Sequence, residues 1–342
     1  MSVDGDAVTA DSGEPAGLAS AVMGRTAPGW LVVARKEFTD HLLSIRFFIL
    51  VGIMGLLLVI AVYAASGGIR SVAGRSSDFP ALFLKLFTVA PERIPPFFTL
   101  VGLLGPLLGI AFGFDAVNGE RTQGTLPRLL AQPIYRDDVI NGKFVAGISA
   151  IGLTLGCLML LMTGIGMLRI GVVPTLGEVV RLLLYLLVTV IYIGFWLALA
   201  SLFSVVLRNA ATSALASIGV WLVTILYAIF LVGFVADVLA PVPDNPTIGE
   251  AVRNARYERN LARLYPGTLY QEVTVVLLTP EQQTLDPLGS LLLQAEPRAI
   301  PSELSLDQSL LVVWPQVTLL VALTASCFAA AYVAFMRQEV RA

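Results

Sequence analysis

An all-α polytopic membrane protein is the fold that this sequence predicts. It has six transmembrane helices, an N-terminal amphipathic interfacial helix, and a small helical extracytoplasmic cap between helices five and six. Three observations predict it. The 342 residues are 56% hydrophobic and only 13% charged, against about a quarter charged in soluble domains. The mean hydropathy is +0.82. The apolar residues also gather into six runs, each close to the ~20 residues that cross a bilayer as a helix.

The elements follow in order. Residues 1–29 are small, polar and acidic, with Asp4, Asp6, Asp11 and Glu14. They lack the basic start and apolar stretch of a secretory signal, and are expected to form a disordered cytoplasmic tail. Residues 30–46 read as a helix with Leu31, Ala34, Phe38, Leu42 and Ile45 on one face and Lys36, Glu37, Asp40 and Ser44 on or near the other. Such a helix lies in the headgroup plane, either as a leader to the first span or as a connector to a cytoplasmic partner.

The spans are expected over Phe47–Ala65, Phe97–Phe114, Phe144–Leu168, Leu182–Leu207, Ala210–Val238 and Leu310–Met336, so that residues 47–239 hold the first five and 310–342 the sixth. Phe79–Val89 offers a short helix in the first outer loop. In the second span Gly105, Gly109 and Gly113 recur every four residues beside Pro106. Small residues at this spacing let helices approach closely, and a proline can kink the helix. The stripe fits ordinary packing or a seam lining a conduit. Between the fifth and sixth spans, residues 240–309 form the cap. Thr247–Leu264 reads as an amphipathic helix interrupted by Arg259. After the Tyr265-Pro266-Gly267 turn, Thr268 is a candidate cap for a helix running to Leu278.

Arg35, Lys36 and Arg46 precede the first span. Arg121, Arg128, Arg136 and Lys143 separate the second and third, and Arg337 and Arg341 follow the sixth. The positive-inside rule places both termini and the 115–143 loop in the cytoplasm.

Several function classes drop out. The net charge of −2 offers no basic surface for nucleic acid. Cys157 and Cys327 sit in apolar runs, and the single histidine, His41, cannot build a metal site alone. No GxxxxGK[ST] loop is present, so no ATP-binding motif and no hydrolysis are expected of this chain. The span interiors are almost free of charge, with Asp115, Arg169, Arg181 and Asp237 at their ends. Gradient-driven transporters need ionisable groups there.

The 115–143 loop is short, charged and broken by Gly124 and Pro127. Asp115, Glu120, Arg121, Arg128 and Arg136 are able to pair with a protein surface. The residues alone fit a docking loop or a solvated connector.

The run F-D-x-x-x-x-E-R-x-x-G-T-L from Phe114, then L-L-A-x-P-I-x-R from Leu129, then Gly142-Lys143, resembles the type-2 ABC exporter permease family. The leader Ala34-Arg35-Lys36-Glu37-Phe38 and the ending Ala331 to Glu339 look like that family's start and close. Tyr265-Pro266 and Leu269-Tyr270 resemble members related to copper-processing and gliding-motility permeases. The resemblance implies a permease in a prokaryotic plasma membrane, surrounded by membrane lipids. It implies a second permease copy and separate cytoplasmic ABC ATPase subunits that bind the ATP, so the chain itself needs no cofactor. It assigns coupling contacts to Asp115, Glu120, Arg121, Gly124, Thr125, Arg128, Pro133 and Arg136, with Glu120–Thr125 as the coupling helix, and a smaller contact to the Ser204–Asn209 turn with Arg208. The alternative is a non-transporting scaffold or mechanical sensor with the same architecture.

Overall fold

A computed structural model describes residues 28–73, 81–89, 95–122, 124, 135–243, 245–281, 285 and 304–338. Among them there is no strand. Six helices are long and apolar enough to cross a membrane.

Helix α1 (Gly29–Leu43) ends where Ser44 turns extended. The Ser44 hydroxyl donates to the His41 carbonyl at 2.8 Å and accepts the Phe47 N–H at 3.2 Å. It therefore closes one helix and caps the next, α2 (Ile45–Ala73). The expected single 30–46 helix is corrected to this break. Its buried face also differs from the expected one. Val33 and Ala34 are buried, whereas Leu31 and Ile45 are exposed. The helix is turned so that Glu37 faces inward, because an oppositely charged partner awaits it there.

The first outer loop contributes α3 (Lys85–Thr88), whose Leu86 and Phe87 are buried with Phe83 and Leu84 ahead of them. The expected helix started earlier, at Phe79, and residues 79 and 80 lie outside the described ones. The second span is α4 (Phe97–Gly113), followed by the one-turn α5 (Asn118–Thr122).

The third span, α6 (Arg136–Ile170), starts eight residues before the expected Phe144, with Asp137 and Asp138 in its first turn, where acidic groups complement the helix dipole. The loop expected through residue 143 therefore ends at Tyr135. Gly171 at φ 77° stops α6.

Helix α7 (Leu176–Val206) opens with a Thr175–Glu178 capping box. It starts six residues before the expected span, so Arg181 lies inside a helix and is buried. The fifth span runs as α8 (Ala210–Leu226), a π-helical turn (Tyr227–Leu231) and α9 (Val232–Leu239). The cap region supplies α10 (Ile248–Ala262) and α11 (Pro266–Leu278). The last span is α12 (Leu306–Arg337).

Helix α7 is the centre of the bundle, packed by α4, α6, α11 and α12. Its Tyr192 and Trp196 are among the largest fully buried side chains. The glycine stripe of α4 lies on it. A Cβ at Gly109 would meet the Ile193 carbonyl oxygen at 2.5 Å, and one at Gly113 the Leu197 carbonyl oxygen at 2.6 Å. Gly105 meets the Ile193 side chain in the same way. These two helices touch backbone to backbone, so the stripe is a packing seam filled by α7.

Pro106 has no N–H to give the Gly102 carbonyl. The Tyr192 hydroxyl donates to that carbonyl at 2.8 Å in its place. The Tyr192 ring stacks on Tyr270 with centroids 4.5 Å apart and planes 11° from parallel.

Tyr270 belongs to α11, and this is the main departure from the expected cap. Helix α11 begins at Pro266, which suits a first helical position, and not at a Thr268 cap. Leu269, Tyr270, Val273, Val276, Leu277 and Leu278 are all buried, and α11 packs among α4, α7 and α12. It is a short helix inside the bundle. Arg181 holds its far end, donating to the Leu277 carbonyl at 3.2 Å, the Ser309 hydroxyl at 3.0 Å and the Leu304 carbonyl at 2.5 Å. Helix α10 shows no buried residue. Arg259, which breaks its apolar stripe, turns inward and donates to the Leu285 carbonyl.

Candidate functional site

The candidate site is built on the α5 turn, between α4 and α6. A single helical turn cannot hold itself, and the N–H groups of its first residue and of the residue before it are taken by a neighbour. The Ser204 hydroxyl on the last turn of α7 accepts from Val117 at 3.0 Å and from Asn118 at 3.1 Å. Gly124 follows at φ 67°, the left-handed region that glycine enters without strain.

Two clusters tie this turn to the span ends. In the first, Lys143 on α6 is 2.8 Å from Glu37 on α1 and 3.4 Å from Glu120 on α5. Lys36 is 3.0 Å from Glu37 and 3.8 Å from Glu120. Lys143, Glu37 and Glu120 are only 7%, 12% and 14% exposed, so these charges are nearly dry and need each other.

Gly142 makes the cluster possible. A Cβ there would meet the Trp30 carbonyl oxygen and the Val33 Cβ, both at 2.7 Å. Only glycine lets α1 cross α6 closely enough for the next residue, Lys143, to reach Glu37. Burial alone raises the Glu37 carboxyl, but the Lys143 ammonium, helped by Lys36, brings it below its ordinary value of 4.5. Burial holds the His41 imidazole below 6.5, against the pull of Glu37 and Asp115. Beside them Arg46 pairs with Asp115 at 2.5 Å and lies over the Phe114 ring at 4.9 Å. A cavity of about 420 Å³ opens among Lys36, Glu37, His41, Asp115, Glu120 and Lys143.

The second cluster gathers around the end of α12. Arg121 donates to the Val205 carbonyl at 3.3 Å and to the Gln338 side-chain oxygen. The Gln338 amide donates to the same Val205 carbonyl at 2.6 Å. Arg136 donates to the Gln338 carbonyl at 2.9 Å and stands over the Phe335 ring at 5.6 Å.

Of the residues singled out from sequence, Asp115, Glu120, Arg121 and Arg136 thus converge here, each with a partner inside the chain. Gly124 and Arg208 are exposed at the same end. Thr125, Arg128 and Pro133 lie outside the described residues. Sequence reasoning missed Glu37, Lys143, Gln338 and the capping by Ser204. It also missed Asn118, which is fully buried with neither side-chain amide atom bonded. The Gly142-Lys143 pair carried the usable signal, a glycine for close approach followed by a cation. Among the described residues no group of three or more His, Cys, Asp or Glu is placed to hold a metal.

A model of the family described as "ABC-2 family transporter protein" matches residues 31–340. Two relatives are similar over 113 residues: the probable ABC transporter permease protein NosY of Stutzerimonas stutzeri, 28% identical, and its namesake in Pseudomonas aeruginosa, 27% identical. Each match covers 33% of this chain and 36% of the relative, so the chain spans about a third of the length of the relatives it matches. The family match, in contrast, takes in α1, the α5 turn and all six long helices, and on that extent this chain belongs to the ABC-2 family of transporter proteins.

Proposed function

We propose that the chain is the membrane-spanning permease of an ATP-driven exporter in a prokaryotic plasma membrane. Two copies associate, and each docks on a separate cytoplasmic ABC ATPase subunit that binds the ATP. Both termini and the coupling turn face the cytoplasm, in keeping with the arginines and lysines at that end. The ATPase seats on the exposed Gly124 and Arg208, with Thr125, Arg128 and Pro133 as further contacts.

One observation carries this reading. The short α5 is bonded at once to α1, α6, α7 and α12, through Lys36, Lys143, Ser204 and Gln338. Glu120 and Arg121 therefore work as transmission groups that face inward, and a push on the turn reaches four elements together. ATP-driven closure of the ATPases moves this block as a rigid body.

The test is reconstitution of the chain with its ATPase in vesicles. Gly124→Pro and Glu120→Ala should insert normally and bind the ATPase, yet lose ATP-dependent export by about tenfold or more. Unchanged export in both variants removes the coupling role. A complex that hydrolyses ATP with no cargo flux in any direction replaces the exporter with a mechanical scaffold.

A further inference from the structure

The cavity beside α5 is more than a gap between ion pairs. Its mouth and floor differ in chemistry. The floor is Lys143, Glu37 and Glu120, nearly dry and mutually paired. At the mouth stand Lys36, Asp40 and Arg46, whose side chains are 56%, 58% and 53% exposed. One wall is apolar, with Ile45 and Phe112.

Two mouth groups keep capacity for a guest. Arg46 gives one nitrogen to Asp115, and a guanidinium carries five N–H donors in a fork that suits a phosphate. Asp40 meets Lys36 at 3.3 Å through one oxygen, and a carboxylate has about four acceptor positions. A cation and an anion thus both line the opening.

Beside it an apolar track runs up α2. Ile45 lines the cavity and is 71% exposed, and Phe48, Ile49, Ile53 and Leu56 continue the exposed face at helical spacing. The charged opening lies where α1 passes into the first span, which is headgroup depth for a helix that enters the bilayer. A polar head of two opposite charges with an apolar tail fits all three features.

We propose that this cavity binds an aminophospholipid, with the phosphate on Arg46, the primary ammonium on Asp40 and an acyl chain along Ile45 to Leu56. The head of such a lipid is a phosphate diester bearing a donor ammonium, and each half finds its counter-charge. A quaternary ammonium cannot donate a hydrogen bond to Asp40, and a polyol head has no cation to offer it. Because the cavity touches both α1 and α5, the bound head fastens the leader helix to the coupling turn. The assignment is independent of the direction of transport.

The test uses the full chain in nanodiscs, with lipid occupancy read by native mass spectrometry. Phosphatidylethanolamine, phosphatidylcholine and phosphatidylglycerol of identical chains are offered in turn, with soluble phosphoethanolamine as competitor. Phosphatidylethanolamine should be retained about tenfold over phosphatidylcholine, the worth of one charge-assisted hydrogen bond. Asp40→Leu, which removes the acceptor as well as the charge, should erase that preference. Arg46→Gln should lower both lipids. Should Arg46→Gln fail to fold, the half-exposed Asp40 decides alone. Equal retention of the two lipids by the unmodified chain, or a preference that survives Asp40→Leu, overturns the proposal. Displacement by soluble phosphoethanolamine as effective as by lipid also overturns it, by assigning the site to a soluble amine phosphate.

Discussion

The Tyr192–Gly102 bond gives the sharpest test of how α4 tolerates a proline in its middle. Pro106 deprives the Gly102 carbonyl of its helical donor, and Tyr192 supplies a hydroxyl at 2.8 Å. Tyr192→Phe keeps the ring stacked on Tyr270 and removes only the hydroxyl. It leaves a buried carbonyl unpaired, at a cost of about 1–3 kcal/mol. Pro106→Ala restores a backbone N–H to that carbonyl. In the Pro106→Ala background the same Tyr192→Phe change should cost about 0.5 kcal/mol or less, because the carbonyl keeps a partner. The coupling between the two sites is then about 1 kcal/mol or more. Any other contact of the hydroxyl is lost in both backgrounds and cancels in the cycle. The assay is equilibrium unfolding of the four proteins in mixed micelles, followed by tryptophan fluorescence. Costs that add within about 0.5 kcal/mol would show that the hydroxyl does not stand in for the missing N–H.

Three further outcomes follow from particular contacts. Gly109→Ala places a Cβ 2.5 Å from the Ile193 carbonyl oxygen and should destabilise by about 1–3 kcal/mol, whereas Gly52→Ala, with open space around it, should be close to neutral; equal unfolding midpoints for the two would refute the seam. Glu37 has its carboxyl held below 4.5, so its contribution is complete above that pH and is lost as the pH falls through the folded value. His41, held below 6.5, loses its contribution from that pH downward, because the buried ring must then take a proton. Glu37→Gln should abolish the lower transition and keep the upper one, as read by a fluorophore on α1, and a profile unchanged by the substitution would remove Glu37 from the cluster. Arg181→Met abandons the acceptors at Leu277, Leu304 and Ser309 and should loosen α11, with a loss of about 2–4 kcal/mol and faster amide exchange at Val276–Leu278; protected amides there would refute its anchoring role.

Much of the fold was readable because the bilayer imposes a strong and simple rule. A run of apolar residues near the required length has few alternatives to a spanning helix. The ends were less readable. Helix α6 begins at Arg136 because Lys143 and Arg136 find partners in the folded chain, so charge there does not end the helix. The same reason moves the start of α7 and buries Arg181. Helix α11 was misplaced outside the bundle since thirteen residues cannot span a membrane, and length alone does not separate an outer helix from one enclosed by others. Its tyrosine at position 270 holds the answer, opposite Tyr192 and Gly102, but that pairing joins segments 78 and 168 residues apart.

The candidate site was legible as a loop and opaque as a mechanism. Charges in a short loop between two spans read as contacts for a partner, because isolated surface charges usually face water. The partners that turn Glu120 and Arg121 inward are Lys143 on α6, Val205 on α7 and Gln338 just past the end of α12. No local pattern announces such a meeting. Gly142 does so in part, for a glycine in a helix costs about 1 kcal/mol relative to alanine and so implies a close neighbour.

Helix α7 gives these separate contacts a common axis. Near its last turn, Ser204 and Val205 hold α5 and Arg121. Near its first turn, Glu178 accepts the Phe83 N–H at 3.0 Å and Arg181 grips the end of α11. Between them lie about 40 Å of helix, locked along α4 by glycines that leave no slack. A helix with fixed partners at both ends and no gap along its side moves as a rod or not at all. A displacement of the α5 turn that moved α7 would therefore be carried to α11 as well. If α7 bent instead, the cost would fall on the Gly109 and Gly113 seam, where backbones already touch. Helix α7 thus joins the α5 turn at one end to α11 at the other through contacts that leave no gap along α4.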